Sequence, residues 1–78
     1  MLTLEKLAKG MRARVAAIET PFADLETKLR EVGFSEGDEV ELLTRGPLGG
    51  QPLAVRLNRT IVALRASEAA AVGLEETL

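Results

Sequence analysis

A small, mainly β barrel of about five strands with one or two short helices is the fold this sequence predicts, and three observations carry the prediction. Several short runs alternate apolar and polar residues with period two, one stretch carries a helical stripe, and 78 residues leave room for one core. A chain of this size buries only roughly 60% of the surface its unfolded form exposes. Of its 46% apolar residues eleven are alanine and only Phe22 and Phe34 are aromatic, so Leu, Val and Ile must build the core. A deep ligand cavity is not expected. Short strands joined by tight turns in a chain this small favour a partly open, five-stranded barrel.

Thr3 is placed to cap a short turn carrying Leu4, Leu7 and Ala8, and Gly10 to end it, which makes the first ten residues a lid on the core. Met11 to Ile18 sets Arg12 and Arg14 against Ala13 and Val15, the alternation of a half-exposed strand. Thr20-Pro21 suggests a helix start with proline at the first helical position, or a slightly later start with Asp24 as cap. Over about 22–32, Leu25, Leu29 and Val32 form one core-facing stripe, with Gly33 fitted to the left-handed position beyond the helix and Phe34 to pack back on its last turn. Glu36-Gly37-Asp38 reads as a turn, and Glu39 to Arg45 as a strand with Val40 and Leu42 inward. Leu53, Val55 and Leu57 give another strand, Asn58-Arg59 its hairpin turn, and Thr60 to Ala66 the return. Ser67 is placed to cap a helical turn over 67–72, Gly73 to Glu75 resumes extended form, and the last three residues are expected to fray.

The chain has no cysteine and no histidine, which removes disulfides, thiol chemistry, imidazole bases and the soft metal ligands together. No catalytic residue, no metal ligand set and no cofactor is expected. No window approaches the roughly 20 apolar residues that span a bilayer, and no leader pattern opens the chain, so a cytoplasmic location without direct membrane insertion is expected. A net charge of −2 and the shortage of aromatic residues argue against nucleic acid as a partner.

Charge is unevenly distributed. Glu31, Glu36, Asp38, Glu39 and Glu41 fall together, whereas between Thr44 and Ser67 the only charges are Arg45, Arg56, Arg59 and Arg65. The acidic group could offer oxygen ligands to a divalent ion, but hard oxygens without imidazole hold iron weakly, and alternate strand residues point to opposite faces. A turn followed by an exposed strand edge is the better account. The arginines are either the wet face of a sheet or a set that guides the chain onto an acidic partner surface.

Between the second and third strands runs Thr44-Arg45-Gly46-Pro47-Leu48-Gly49-Gly50-Gln51-Pro52-Leu53, with three glycines, two prolines and a central leucine. Glycine opens backbone angles closed to other residues and proline fixes its own φ, so residues 45–52 read as a shaped loop. Leu48 has two readings: it docks into an apolar groove on a partner, or it folds back over the open end of the barrel. The loop lacks the Gly-Lys-Ser/Thr ending of a phosphate-binding loop.

This loop, followed by Ala63-Leu64-Arg65 and Ser67-Glu68-Ala69 and preceded by Leu29-Arg30-Glu31-Val32-Gly33-Phe34 with Gly37 and Val40, resembles the FeoA family, the small protein A of bacterial ferrous iron transport. Leu4, Leu7 and Gly10 fit the family's amino-terminal segment, so the resemblance runs from about Leu4 to Leu74. It implies one SH3-like domain over 1–78 and partnership, at the cytosolic face, with the permease FeoB, whose cytosolic portion binds GTP. On that reading the chain modulates the permease's assembly or its GTP-dependent activity, and Arg45, Pro47, Leu48, Gly49, Arg56 and Arg59 form the partner-binding set. The fold also resembles the carboxy-terminal domain of iron-dependent repressors, so a small metal-binding or metal-sensing domain is the alternative. Asn58-Arg59 departs from the glycine-bearing hairpin common in the family. Unpaired barrel edges also allow weak self-association.

Overall fold

The computed structural model describes residues 2–75. A 3-10 turn at Leu4–Lys6 is followed by β1 (Arg12–Ile18), α1 (Ala23–Val32), β2 (Glu39–Gly46), β3 (Gly50–Leu57), β4 (Thr60–Leu64), α2 (Ala66–Ala69) and β5 (Val72–Leu74). The strands form one antiparallel sheet in the order β4-β3-β2-β1-β5. It curls around a core in which Leu4, Leu29, Phe34, Leu42, Leu53 and Val55 are buried almost completely.

The alternation places these side chains. Val40 and Leu42 on β2 and Leu53, Val55 and Leu57 on β3 point inward, while Arg56 and Glu39 stay outside. On the outer face Arg12, Glu41, Arg56 and Ile61 stand in one row across β1 to β4. The pairing of β2 with β3 is interrupted between Leu42 and Thr44 and again between Arg45 and Gly46, which lets the long hairpin bend toward its tip.

Several local expectations are corrected. Thr3 makes no side-chain cap bond; its backbone instead bridges Gly73, and Ala8 is exposed. Neither Pro21 nor Asp24 starts α1: the Thr20 hydroxyl accepts from the Phe22 N–H at 3.1 Å, Phe22 occupies the cap, and Asp24 lies inside the first turn, where the helix dipole favours a carboxylate. Val32 is 39% exposed rather than buried. The reversal at Gly33 (φ 127°) swings Phe34 back so that its N–H reaches the Leu29 carbonyl at 3.0 Å, and the larger ring joins the core there.

At the other end, β4 stops at Leu64 and α2 begins at Ala66, so the helical turn covers 66–69 and not 67–72, and Arg65, not Ser67, holds the cap. The cause is Glu68, whose carboxylate accepts from the Arg65 N–H at 2.9 Å and so starts the helix earlier. The fraying expected at the last three residues lies outside the described part of the chain.

Arg30 closes the far side of α1. Its guanidinium donates to both oxygens of Glu36 at 3.1 Å and to Glu26 at 3.1 Å, and this pairing holds the Glu36 carboxyl at about 2. Because that value is depressed in the fold, the stabilisation is present above about 4.5 and is lost as pH falls toward about 2. Glu36→Gln is expected to lower the melt modestly near neutral pH, as befits a solvent-exposed pair, and to converge with the wild type as pH falls toward about 2, which flattens the acid limb of the melting-temperature profile. An acid limb identical to the wild type would contradict this.

Candidate functional site

The end of the β2–β3 hairpin is built from glycines with different tasks. Gly49 (φ 67°) and Gly50 (φ 84°) are the centre of a two-residue turn, closed by Leu48 and Gln51, each donating its N–H to the other's carbonyl at 3.2 Å. Gly46 has no left-handed φ; it is needed because a Cβ there would lie 2.3 Å from the Gln51 carbonyl oxygen and 2.8 Å from Pro52 Cδ. The Gln51–Pro52 peptide bond is cis.

This frame holds Leu48 at the tip with 77% of its surface exposed. The side chain therefore does not cover the barrel's open end. Pro47 is exposed beside it, and Leu48, Gln51, Pro52 and Arg65 line a shallow groove. Gln51 fixes the groove's base, its side-chain oxygen accepting from the Ala66 N–H at 2.7 Å. Behind it, Glu68 takes Lys28 Nζ at 2.5 Å as well as the Arg65 N–H. Those bonds pull the Glu68 carboxyl below the usual carboxylate range, the lysine contact most. The backbone around Arg65 is thus held, while its guanidinium forms no hydrogen bond or salt bridge among the described residues.

The expected partner set is not one patch. Pro47, Leu48 and Gly49 come together at the tip. Arg45 turns the other way, donating to the backbone carbonyls of Glu5 and Leu7 and tying the amino-terminal 3-10 turn to β2. Arg56 lies on the outer face of β3, 3.7 Å from Glu41. Arg59 occupies the β3–β4 turn, at the opposite end of β3; seven residue steps of strand separate the two ends by about 23 Å. The turn is two residues long: Asn58 takes the left-handed conformation (φ 56°), so the arginine beside it need not. Sequence reading placed Gln51 and Pro52 in the loop but outside the partner set, and it missed Arg65 as a neighbour of the tip. The signal was the length of β3: a strand paired from Leu57 with Thr60 to Leu53 with Leu64 returns the chain to the loop at Arg65.

The acidic segment resolves into separate pairs. Glu36 joins Arg30, Asp38 accepts from the Ser35 N–H and hydroxyl at 3.1 Å, Glu39 lies 3.8 Å from Arg12, and Glu41 faces Arg56. Among the described residues no three His, Cys, Asp or Glu side chains converge in a way that could hold a metal ion. No helix of the described part is long and apolar enough to cross a membrane.

Known proteins share this architecture. The chain is similar to FeoA of Stenotrophomonas maltophilia, crystallised with zinc, a prokaryotic SH3 domain protein proposed as an activating factor of ferrous iron transport; identity is 38%, over 96% of this chain and 91% of that one, with a TM-score of 0.85. A FeoA-like protein of Clostridium acetobutylicum matches at 27% identity over 99% of this chain and 87% of its own, with a TM-score of 0.86. Iron(II) transport protein A of Clostridium thermocellum matches at 31% identity over 95% of this chain but 44% of its own, with a TM-score of 0.84. A manganese-dependent transcriptional repressor, 20% identical over 95% of this chain and 35% of its own at a TM-score of 0.85, shares the fold alone. No curated protein matches. The FeoA domain model covers residues 2–76, and with this five-stranded SH3-like barrel beneath it the chain belongs to the FeoA family.

Proposed function

We propose that this chain is a non-enzymatic accessory protein of ferrous iron transport that docks, at the cytosolic face, on a permease of the FeoB type through the tip of its β2–β3 hairpin. The observation that carries the reading is Leu48, 77% exposed beside a Gly49-Gly50 turn that Leu48 and Gln51 close with reciprocal backbone hydrogen bonds. A large apolar side chain fixed in water on a rigid frame is stabilised when a partner covers it. Arg65, without a salt bridge among the described residues and lining the same groove, supplies the adjacent charge; it takes the steering part first read into Arg45, whose guanidinium serves the amino-terminal turn. Arg56 and Arg59 lie outside this contact. The metal-sensing alternative has less support, since Glu36, Asp38, Glu39 and Glu41 are engaged singly by arginines and by Ser35.

The test is equilibrium binding of the chain to a purified full-length ferrous iron permease in a membrane mimic, with GTP, GDP or no nucleotide. Saturable binding whose strength depends on the nucleotide is expected. Absence of binding in all three states contradicts the reading.

A further inference from the structure

The two edges of the sheet are treated differently. On β5 the chain covers its own edge: the Leu74 N–H donates to the Leu2 carbonyl at 2.8 Å, and Thr3 bridges Gly73. Among the described residues nothing comparable covers β4, and β3 is its one strand neighbour. Leu57 and Thr60 are partners across the two-residue turn, so Thr60, Val62 and Leu64 direct their N–H and C=O groups toward β3. Ile61 and Ala63 direct theirs outward. The strand Thr60-Ile61-Val62-Ala63-Leu64 carries no charge and no proline, its register with β3 has no bulge, and Ile61 is 59% exposed. These are the features that natural edges normally avoid.

Charge selects the occupant. Arg59 and Arg65 flank the strand at its two ends, and neither guanidinium forms a hydrogen bond or salt bridge among the described residues, although Arg65 lies near enough to Glu68 to help lower its pKa. A second copy paired antiparallel about Val62 would set Arg59 of one chain against Arg65 of the other at both ends, a repulsive arrangement. We infer that β4 is a docking edge for an extended peptide segment with an apolar centre and carboxylates at both ends, added to the sheet as a sixth strand. Backbone bonds from Ile61 and Ala63 hold the segment, and the two arginines set its register and select acidic flanks. The inference does not depend on Leu48.

The test uses an acetylated and amidated peptide, Asp-Glu-Thr-Val-Thr-Val-Glu-Asp, and its counterpart with lysine in place of every acid, each titrated into the isotope-labelled full chain while amide resonances are followed. Saturable shifts confined to Thr60 to Arg65 and their β3 partners are expected for the acidic peptide, with affinity at least about tenfold higher than for the lysine peptide and falling with salt. Ile61→Pro removes an outward N–H that β3 does not use, so it should abolish binding with the fold retained. Leu48→Ala, which places no charge beside Arg65, should leave peptide binding unchanged. The inference is overturned by the absence of saturable shifts, by equal binding of the lysine peptide, or by shifts centred elsewhere. Concentration-dependent shifts of the β4 amides without peptide would assign the edge to a second copy and overturn it as well. If Ile61→Pro does not fold, the two peptides still decide.

Discussion

Gly46→Ala should lower the melting temperature by about 8–16 °C, corresponding to roughly 2 kcal/mol in a domain of this size. The new Cβ would sit 2.3 Å from the Gln51 carbonyl oxygen and 2.6 Å from its carbonyl carbon, inside the distance any real contact allows, and both are backbone atoms with no rotamer to yield. Relief requires the end of β2 to move away from β3, which breaks the Gly46–Gly50 pairing and releases the frame under Leu48. Gly37→Ala is the instructive comparison: Gly37 has φ 93° but open space around it, so the expected cost is only the left-handed strain of about 1 kcal/mol. Two melts within about 2 °C of each other would show that the contact at Gly46 is not limiting.

Leu48→Asp should leave the melt unchanged and weaken permease binding by roughly 10- to 150-fold, the equivalent of the 1.5–3 kcal/mol that burial of one leucine contributes. Leu48 touches no part of the core, so its replacement has no folding cost to confuse the reading. The control is Phe22→Asp. Phe22 is also a large exposed apolar residue, at 66%, but it caps α1 beside a separate groove lined by Pro21, Leu25 and Ala71. Aspartate is a favoured cap, so this variant should fold and should bind the permease as the wild type does. Equal loss in both variants would mean that binding is general hydrophobic adhesion and not docking at the hairpin tip.

What the sequence made legible follows from which forces are local. Period-two alternation placed Val40, Leu42, Leu53, Val55 and Leu57 correctly because strand geometry imposes it residue by residue. Gly33 was legible because the end of a helix demands a left-handed residue at that point. The roles of Arg45 and Arg65 were not, because each depends on a segment distant in sequence. Arg45 finds its acceptors at Glu5 and Leu7, and Arg65 comes beside Leu48 only through the pairing of β3 with β4. The same holds for Gly46, whose constraint is imposed by the register shift opposite Gln51 and not by its own backbone angles.

The most direct measurement of the central claim is amide hydrogen exchange of the chain free and bound to the permease. Docking at the hairpin tip predicts new protection confined to residues 46–52 and to the segment around Arg65, with α1 unaffected. Protection centred on α1 and Phe22, with the tip exchanging as freely as in the unbound chain, would contradict it.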